Sequence, residues 1–255
     1  MISGTVVLSK LEFDVLWENE KLPPKHEALT VPSPGTTHTE RRRLVAQAFA
    51  DLEQRGLAKR DRATPELVDQ LNLLAHPQLS IDSWVWTDHR ISSLAVVAGN
   101  QALLAVVDGP EVWLIPARET SIAEAAVSVA GDVVHGPGFS VTLPTDLLTA
   151  ADAEARGDAR EFASALTRAG VPGADAKSIS TMVTGMDVRG QFGATRTQRD
   201  GRALRADRVV AFHDTPRGRY VHLAKPNADG RMWSTVTPAD NRRLVTCVQE
   251  LLTEV

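Results

Sequence analysis

Apolar and polar residues alternate along the first clearly patterned segment of the chain, from Leu11 to Trp17. Glu12 and Asp14 are the polar residues between the first apolar ones. Because side chains of a strand point to its two faces in turn, this alternation predicts a half-buried first strand. Four prolines between residues 22 and 35 then exclude regular structure until the next element.

Two helices are predicted next, since apolar residues recur there at helical spacing. In the first, Thr37 and Glu40 have capping-box spacing, and Gly56 is a typical stop. The second begins at Thr64, whose neighbour Pro65 would occupy the first helical position, and continues to Pro77.

Four short β-type runs come after these helices, separated by turn residues. Their short connections predict antiparallel hairpins. They cover residues 81–87, 94–98, 103–107 and 112–115. A helix following Ser121 and stopping at Gly131 then completes the first half of the chain.

The second half repeats this order of elements. A strand over residues 139–143 and a helix from about Thr145 are followed by two helices that stop at Gly170 and Gly185. Four strand-like runs come next, over residues 186–197, 209–213, 220–223 and 232–236. Thr237-Pro238 is expected to open the last helix.

Helix, helix, four strands and helix therefore occur twice, offset by about 110 residues. We predict an α+β fold in which one central antiparallel sheet is flanked by helical bundles. The two pseudo-symmetric halves, residues 1–135 and 136–255, are expected to form one continuous structural unit.

The composition is that of an ordinary globular protein: 255 residues, 43% hydrophobic and 24% charged. The single Cys247 lies in an apolar helical pattern, which predicts a small core residue and a reducing compartment. No apolar run is long enough to span a membrane, and residues 1–10 lack signal-peptide features. A cytoplasmic protein without membrane insertion is expected.

Sequence motifs for catalysis are missing. There is no G-x-S-x-G nucleophile elbow, no phosphate-binding glycine loop, and no H-E-x-x-H pair among the seven histidines. His135-Gly136-Pro137-Gly138 has the composition of a turn. We therefore expect no enzyme activity, no cofactor and no metal.

Two cationic segments stand out in a chain whose net charge is −4. Residues 40–62 carry seven Arg or Lys against four acids, which is either a solvated helix face or a phosphate-binding surface. Residues 189–219 carry eight Arg against three acids. Arg189 and Gln191 lie two residues apart and so share the polar face of a predicted strand there. That face is either a charged edge that prevents aggregation or a partner-binding surface.

Trp84 and Trp86 lie two residues apart and so share one strand face, flanked there by Asp82 and Asp88. Tryptophan with a polar rim is typical of an interface hot spot. Burial under a helix is the alternative interpretation, and the pattern does not decide between them.

Three short sequence motifs, which occur in order along the duplicated elements, carry a resemblance that runs over nearly the whole chain. They are LEFDVLWE at residues 11–18, PSPG at 32–35 and RGL at 55–57. With them the chain resembles the EspG family of type VII (ESX) secretion-associated proteins of actinobacteria.

The resemblance implies a cytosolic chaperone or adaptor that binds PE–PPE-type helical heterodimers, keeps them soluble and delivers them to the secretion system. It also implies a central antiparallel sheet with two helical bundles about a pseudo-twofold axis. In the family, the PPE-type subunit is held by its tip against the sheet, the loop after the second strand and the C-terminal bundle. That loop corresponds here to about residues 87–92.

The binding hypothesis combines this implication with strand parity. Trp84 and Trp86 are predicted to be apolar anchors for the partner, and four residues around them are predicted to supply polar specificity. These four are Arg90, Arg189, Gln191 and Arg196. The alternative is a winged-helix-like DNA-binding regulator, although nucleic acid is not the expected partner; a homodimer of the free protein is also left open.

Overall fold

The structure, a computed structural model, describes residues 4–255, and within that range it contains eight α-helices and eleven β-strands. The helices are α1 (Lys10–Asn19), α2 (His38–Gln54), α3 (Pro65–Ala75), α4 (Ile122–Ser128), α5 (Thr145–Ala155), α6 (Ala159–Arg168), α7 (Gly173–Val183) and α8 (Asn241–Leu252). The strands are β1 (Val6–Ser9), β2 (Leu79–Trp86), β3 (Arg90–Ala98), β4 (Gln101–Asp108), β5 (Glu111–Ala117), β6 (Val141–Pro144), β7 (Val188–Thr197), β8 (Ala203–Arg205), β9 (Val210–Thr215), β10 (Gly218–Pro226) and β11 (Met232–Pro238). The predicted α+β class with a large antiparallel sheet is confirmed.

The chain forms two compact units whose segments alternate along the sequence. The first unit contains the described residues up to Trp84, together with His89–Val129 and Thr195–Leu204. The second contains Val85–Asp88, Ala130–Ala194 and Arg205–Val255. That residues 1–135 and 136–255 act as one continuous structural unit stays a prediction.

The repeat is longer than the sequence pattern indicated. Each copy begins with a short strand and three helices, continues with four main strands and ends with a helix. In the first copy the strands are ordered β1-β5-β4-β3-β2, and in the second β6-β11-β10-β9-β7, with β8 as an extra strand on β7. In both copies the leading short strand pairs with the last main strand, so the duplication extends to the sheet connectivity.

The prediction of a first strand over Leu11–Trp17 is wrong, because this segment is helix α1. Ser9 caps the helix: its hydroxyl accepts a hydrogen bond from the Glu12 amide, and the Glu12 carboxylate accepts one from the Ser9 amide. All six residues from Glu12 to Trp17 are buried. The alternation was misleading because the two acidic residues are buried as well, and cations from other segments neutralise them.

Those cations are Arg55, which binds Glu12, and Lys25 and Arg41, which both bind Asp14. Arg41 also binds Glu18. Two of the cations in the segment 40–62 are therefore engaged inside the first unit, where they hold α1 to its surroundings.

The last helix also begins later than predicted. Thr237 and Pro238 are residues of β11 and lie opposite Val221 and Tyr220 of β10. Asp240 is the actual N-cap of α8, since its carboxylate accepts a hydrogen bond of 2.9 Å from the Arg243 amide. Strand pairing, which the local sequence does not show, outweighs the helix-opening tendency of Thr-Pro.

Helix α8 carries Cys247, which is fully buried as predicted. Burial raises the pKa of its thiol. Within residues 4–255, no helix has the length and apolar character required to cross a bilayer.

Candidate partner-binding site

A cleft of about 450 Å³ lies in the second unit, bordered by one face of its strands and by helices α5 to α7. Its apolar wall is formed by Leu148 of α5, Phe162 of α6 and Val183 of α7. Met186, which follows α7, also lines the cleft and is 49% exposed. A half-exposed methionine can adapt its shape to an incoming apolar group.

Strand register builds the opposite wall. Gln191 of β7 lies opposite Ala211 of β9, which lies opposite His222 of β10, and His222 lies opposite Val236 of β11. These four residues form one row across the face, and all four line the cleft.

Arg189 lies two residues before Gln191 and opposite His213, so it belongs to the same face. Phe192 points to the other face, where its ring stacks on Phe212 at 5.7 Å between centroids. Arg189 is exposed and Gln191 half-buried, whereas Phe192 is buried. The alternation predicted for this strand is therefore confirmed.

Two histidines attach the helices to this face. The His213 Nε2–H donates a hydrogen bond of 2.9 Å to the Met182 carbonyl oxygen at the end of α7. His222 Nε2 lies 3.0 Å from Ser234 Oγ, which in turn lies 2.9 Å from Thr145 Oγ1 at the start of α5.

Burial lowers the pKa of both histidines. For His213, the Met182 carbonyl and Asp214 raise the pKa but do not outweigh burial. For His222, the neighbouring His213 lowers the pKa further. Both rings are therefore neutral at pH 7. Ser234, although hydrogen-bonded to a histidine, is fully buried, so its hydroxyl is closed to a substrate. Across residues 4–255, no group of three or more His, Cys, Asp or Glu could hold a metal ion.

A buried arginine supports this unit from the other face. The Arg219 guanidinium is 0% exposed and binds both carboxylate oxygens of Asp214, at 2.7 and 2.9 Å. It also donates to the carbonyl oxygens of Ala130 and Gly131 and to the side-chain oxygen of Asn241 in α8. One side chain thus joins strands β9 and β10, residues 130–131 and helix α8.

The segment after residue 131 is held against β10 as well. The Gly136 amide donates to the Arg219 carbonyl at 3.1 Å, and the Tyr220 hydroxyl donates to the Pro137 carbonyl at 3.1 Å. A Cβ on Gly136 would overlap with Cζ of Tyr220. His135-Gly136-Pro137-Gly138 is therefore a packed connection in which glycine is required, consistent with the turn interpretation.

The six predicted site residues divide between the two units. Trp86, Arg189 and Gln191 line the cleft of the second unit. Trp84, Arg90 and Arg196 belong to the first unit, and Arg196 lines a different cleft there, beside Gln78 and Arg199.

The loop after the second strand is shorter than the predicted range 87–92, because β3 already begins at Arg90. Asp152, Met186 and His222 also line the cleft, and the sequence patterns did not predict them as site residues. They come from elements distant in sequence, and only strand pairing and helix packing bring them together.

Comparison with known proteins identifies the family. The model of the EspG family matches residues 9–250. The chain belongs to the EspG family. Its fold is similar to that of the Mycobacterium tuberculosis type VII secretion system chaperone EspG5, solved in complex with the PE25–PPE41 dimer, with a TM-score of 0.78.

That match covers 99% of this EspG-family chain and 97% of EspG5, at 14% sequence identity. It therefore shows that the two share a fold over almost their full lengths. No curated protein sequence matches the chain.

Proposed function

We propose that this EspG-family protein is a chaperone of type VII secretion that binds a PE–PPE-type helical heterodimer in the cytosol. It keeps the pair soluble and delivers it to the secretion system. Family membership supports this proposal, as does the fold shared with EspG5, a chaperone whose solved structure contains a PE25–PPE41 dimer.

The single observation that carries the proposal on this chain is the cleft of the second unit. It combines an apolar wall with a polar rim and an indole, that of half-buried Trp86. Such a composition suits the capture of another protein's apolar tip. Arg189 and Gln191 supply polar contacts around it, and Trp84, Arg90 and Arg196 are proposed as further contacts of the first unit.

The mechanism needs binding rather than catalysis. An exposed apolar tip on a helical pair favours self-association. A chaperone that covers the tip lowers the concentration of exposed apolar surface by mass action. The neutral, hydrogen-bonded histidines of the cleft contribute to binding, because they hold α5 and α7 on the sheet face and so maintain the shape of the cleft.

Co-expression tests the proposal. The chain is co-expressed with each PE–PPE-type pair of its source genome, and we expect one pair to become soluble and to co-purify at a one-to-one ratio. Trp86→Ala should weaken binding of that pair by about 30-fold or more, the effect typical of an interface hot spot.

Trp113→Ala is the matched control, since Trp113 is a 37% exposed tryptophan on β5 of the first unit. It should leave the affinity unchanged, and circular dichroism should show both variants folded. The proposal is wrong if no pair is captured. The contact assignment is wrong if the two tryptophan variants behave alike.

A further inference from the structure

Two opposite charges line the cleft without neutralising each other: Asp152 of α5 and Arg189 of β7. Both side chains are exposed. Among residues 4–255, no ion pair or side-chain hydrogen bond joins either of them to another group.

Their unpaired state differs from that of four other arginines in the same unit. Arg168 binds Glu154 and Glu161, Arg208 binds Glu254, Arg219 binds Asp214 and Arg231 binds Asp146. Ion pairs thus form in the second unit at exposed positions as well as buried ones. Asp152 and Arg189 are two charges left without a partner where a binding surface is proposed.

Apolar surface accompanies these charges. Phe162, Val183 and Met186 line the cleft, and together with Asp152 they also line an adjoining cleft of about 300 Å³ that reaches the connection between α5 and α6. The two clefts share these four lining residues, so Asp152 lies where they adjoin. A partner that covers the apolar surface must therefore also remove water from the neighbouring carboxylate.

Removing water from an unpaired charge has a free-energy cost unless an opposite charge replaces the water. A partner with a purely apolar tip would bear that cost at Asp152 and again at Arg189. A partner that presents a basic residue to Asp152 and an acidic residue to Arg189 would gain two charge-assisted hydrogen bonds instead.

We propose that the cleft selects a partner tip whose apolar side chain is flanked by a basic residue on the α5 side and an acidic residue on the β7 side. This rests on the proposed chaperone function and names the chemistry of its partner. The pair of charges fixes the orientation of the bound tip and rejects tips with the reversed arrangement through like-charge repulsion.

Charge reversal tests the inference on the pair captured in the co-expression experiment, with the dissociation constant measured by biolayer interferometry. Asp152→Arg and Arg189→Asp should each weaken binding by at least 10-fold at 50 mM salt, and the loss should shrink at 500 mM salt. The controls are Asp132→Arg and Arg242→Asp, which make the same charge changes at exposed positions of the second unit outside the cleft. They should stay within twofold of the unchanged protein.

Reversals on the partner complete the test. We expect one basic residue of the tip whose change to Asp rescues Asp152→Arg, and one acidic residue whose change to Arg rescues Arg189→Asp. If the pair is captured but the cleft variants behave like their controls, or if no tip reversal rescues them, the inference is wrong and the proposed function stands. If the unchanged protein captures no pair, both are overturned.

Discussion

Replacing Arg219 by Met should destabilise the second unit strongly, since Met keeps the length and apolar stem of the side chain and removes only its charge and donors. The guanidinium makes five hydrogen bonds: two to Asp214, and one each to Ala130, Gly131 and Asn241. Its Cζ also lies 4.8 Å from the centroid of the Phe212 ring.

The magnitude follows from what the substitution leaves behind. Asp214 is only 7% exposed, so its carboxylate would remain buried without its cation, and the two carbonyl oxygens would lose a donor. Breaking a buried ion pair from one side costs about 3–5 kcal/mol. For a chain of this size that corresponds to a fall in Tm of roughly 6–20 °C.

Differential scanning calorimetry measures the effect, and Arg231→Met is the matched control. Arg231 also binds both oxygens of a carboxylate, that of Asp146, but this pair is exposed, so its loss should leave Tm unchanged within error. The double variant Arg219→Met/Asp214→Asn should recover part of the loss, because no unpaired charge remains buried. Equal Tm values for Arg219→Met and Arg231→Met would refute the reasoning.

Two further predictions concern the same unit. Burial lowers the pKa of His213 and His222 below the 6.5 of the unfolded chain, so the unfolded state binds more protons than the folded state as pH falls below about 6.5, and stability should decrease there. The drop in Tm between pH 7.5 and pH 5.5 should be smaller in His213→Gln than in the unchanged protein. An equal drop in both would contradict histidine burial as the cause. Gly136→Ala should cost about 1–3 kcal/mol in urea unfolding, because its Cβ would meet the Tyr220 ring. The control Gly173→Ala, at the start of α7 with no atom within 4 Å of the added Cβ, should be neutral or slightly stabilising, and similar losses in both would exclude the clash as the cause.

Local sequence signals predicted much of the fold correctly. Thr37 caps α2, Pro65 is the first residue of α3, and turn residues separate the strands as expected. These features depend on a few neighbouring residues, so a single sequence is enough to recognise them.

The errors occurred where distant residues decide the local structure. The alternation in α1 predicts a strand only if its acidic residues are solvated, whereas Arg41 of α2 and Arg55, which follows α2, neutralise them. Thr237-Pro238 predicts a helix start from the local sequence alone, because the pairing of Pro238 with Tyr220 depends on strand register.

The candidate site could be predicted only in part for the same reason. The parity of β7 correctly placed Arg189 and Gln191 on one face. No local pattern predicts that Asp152 and Arg189 line the same cleft, since this depends on how α5 packs on the sheet.

The interleaving of the two units has a consequence for biosynthesis. When residue 129 leaves the ribosome, the first unit still lacks Thr195–Leu204, and Val85–Asp88 has emerged long before the rest of the second unit exists. In co-translational folding the N-terminal domain usually folds first, but here the first unit cannot finish folding before residues 195–204 have been synthesised. We expect the nascent chain to reach its final state only after translation has delivered the C-terminal strands.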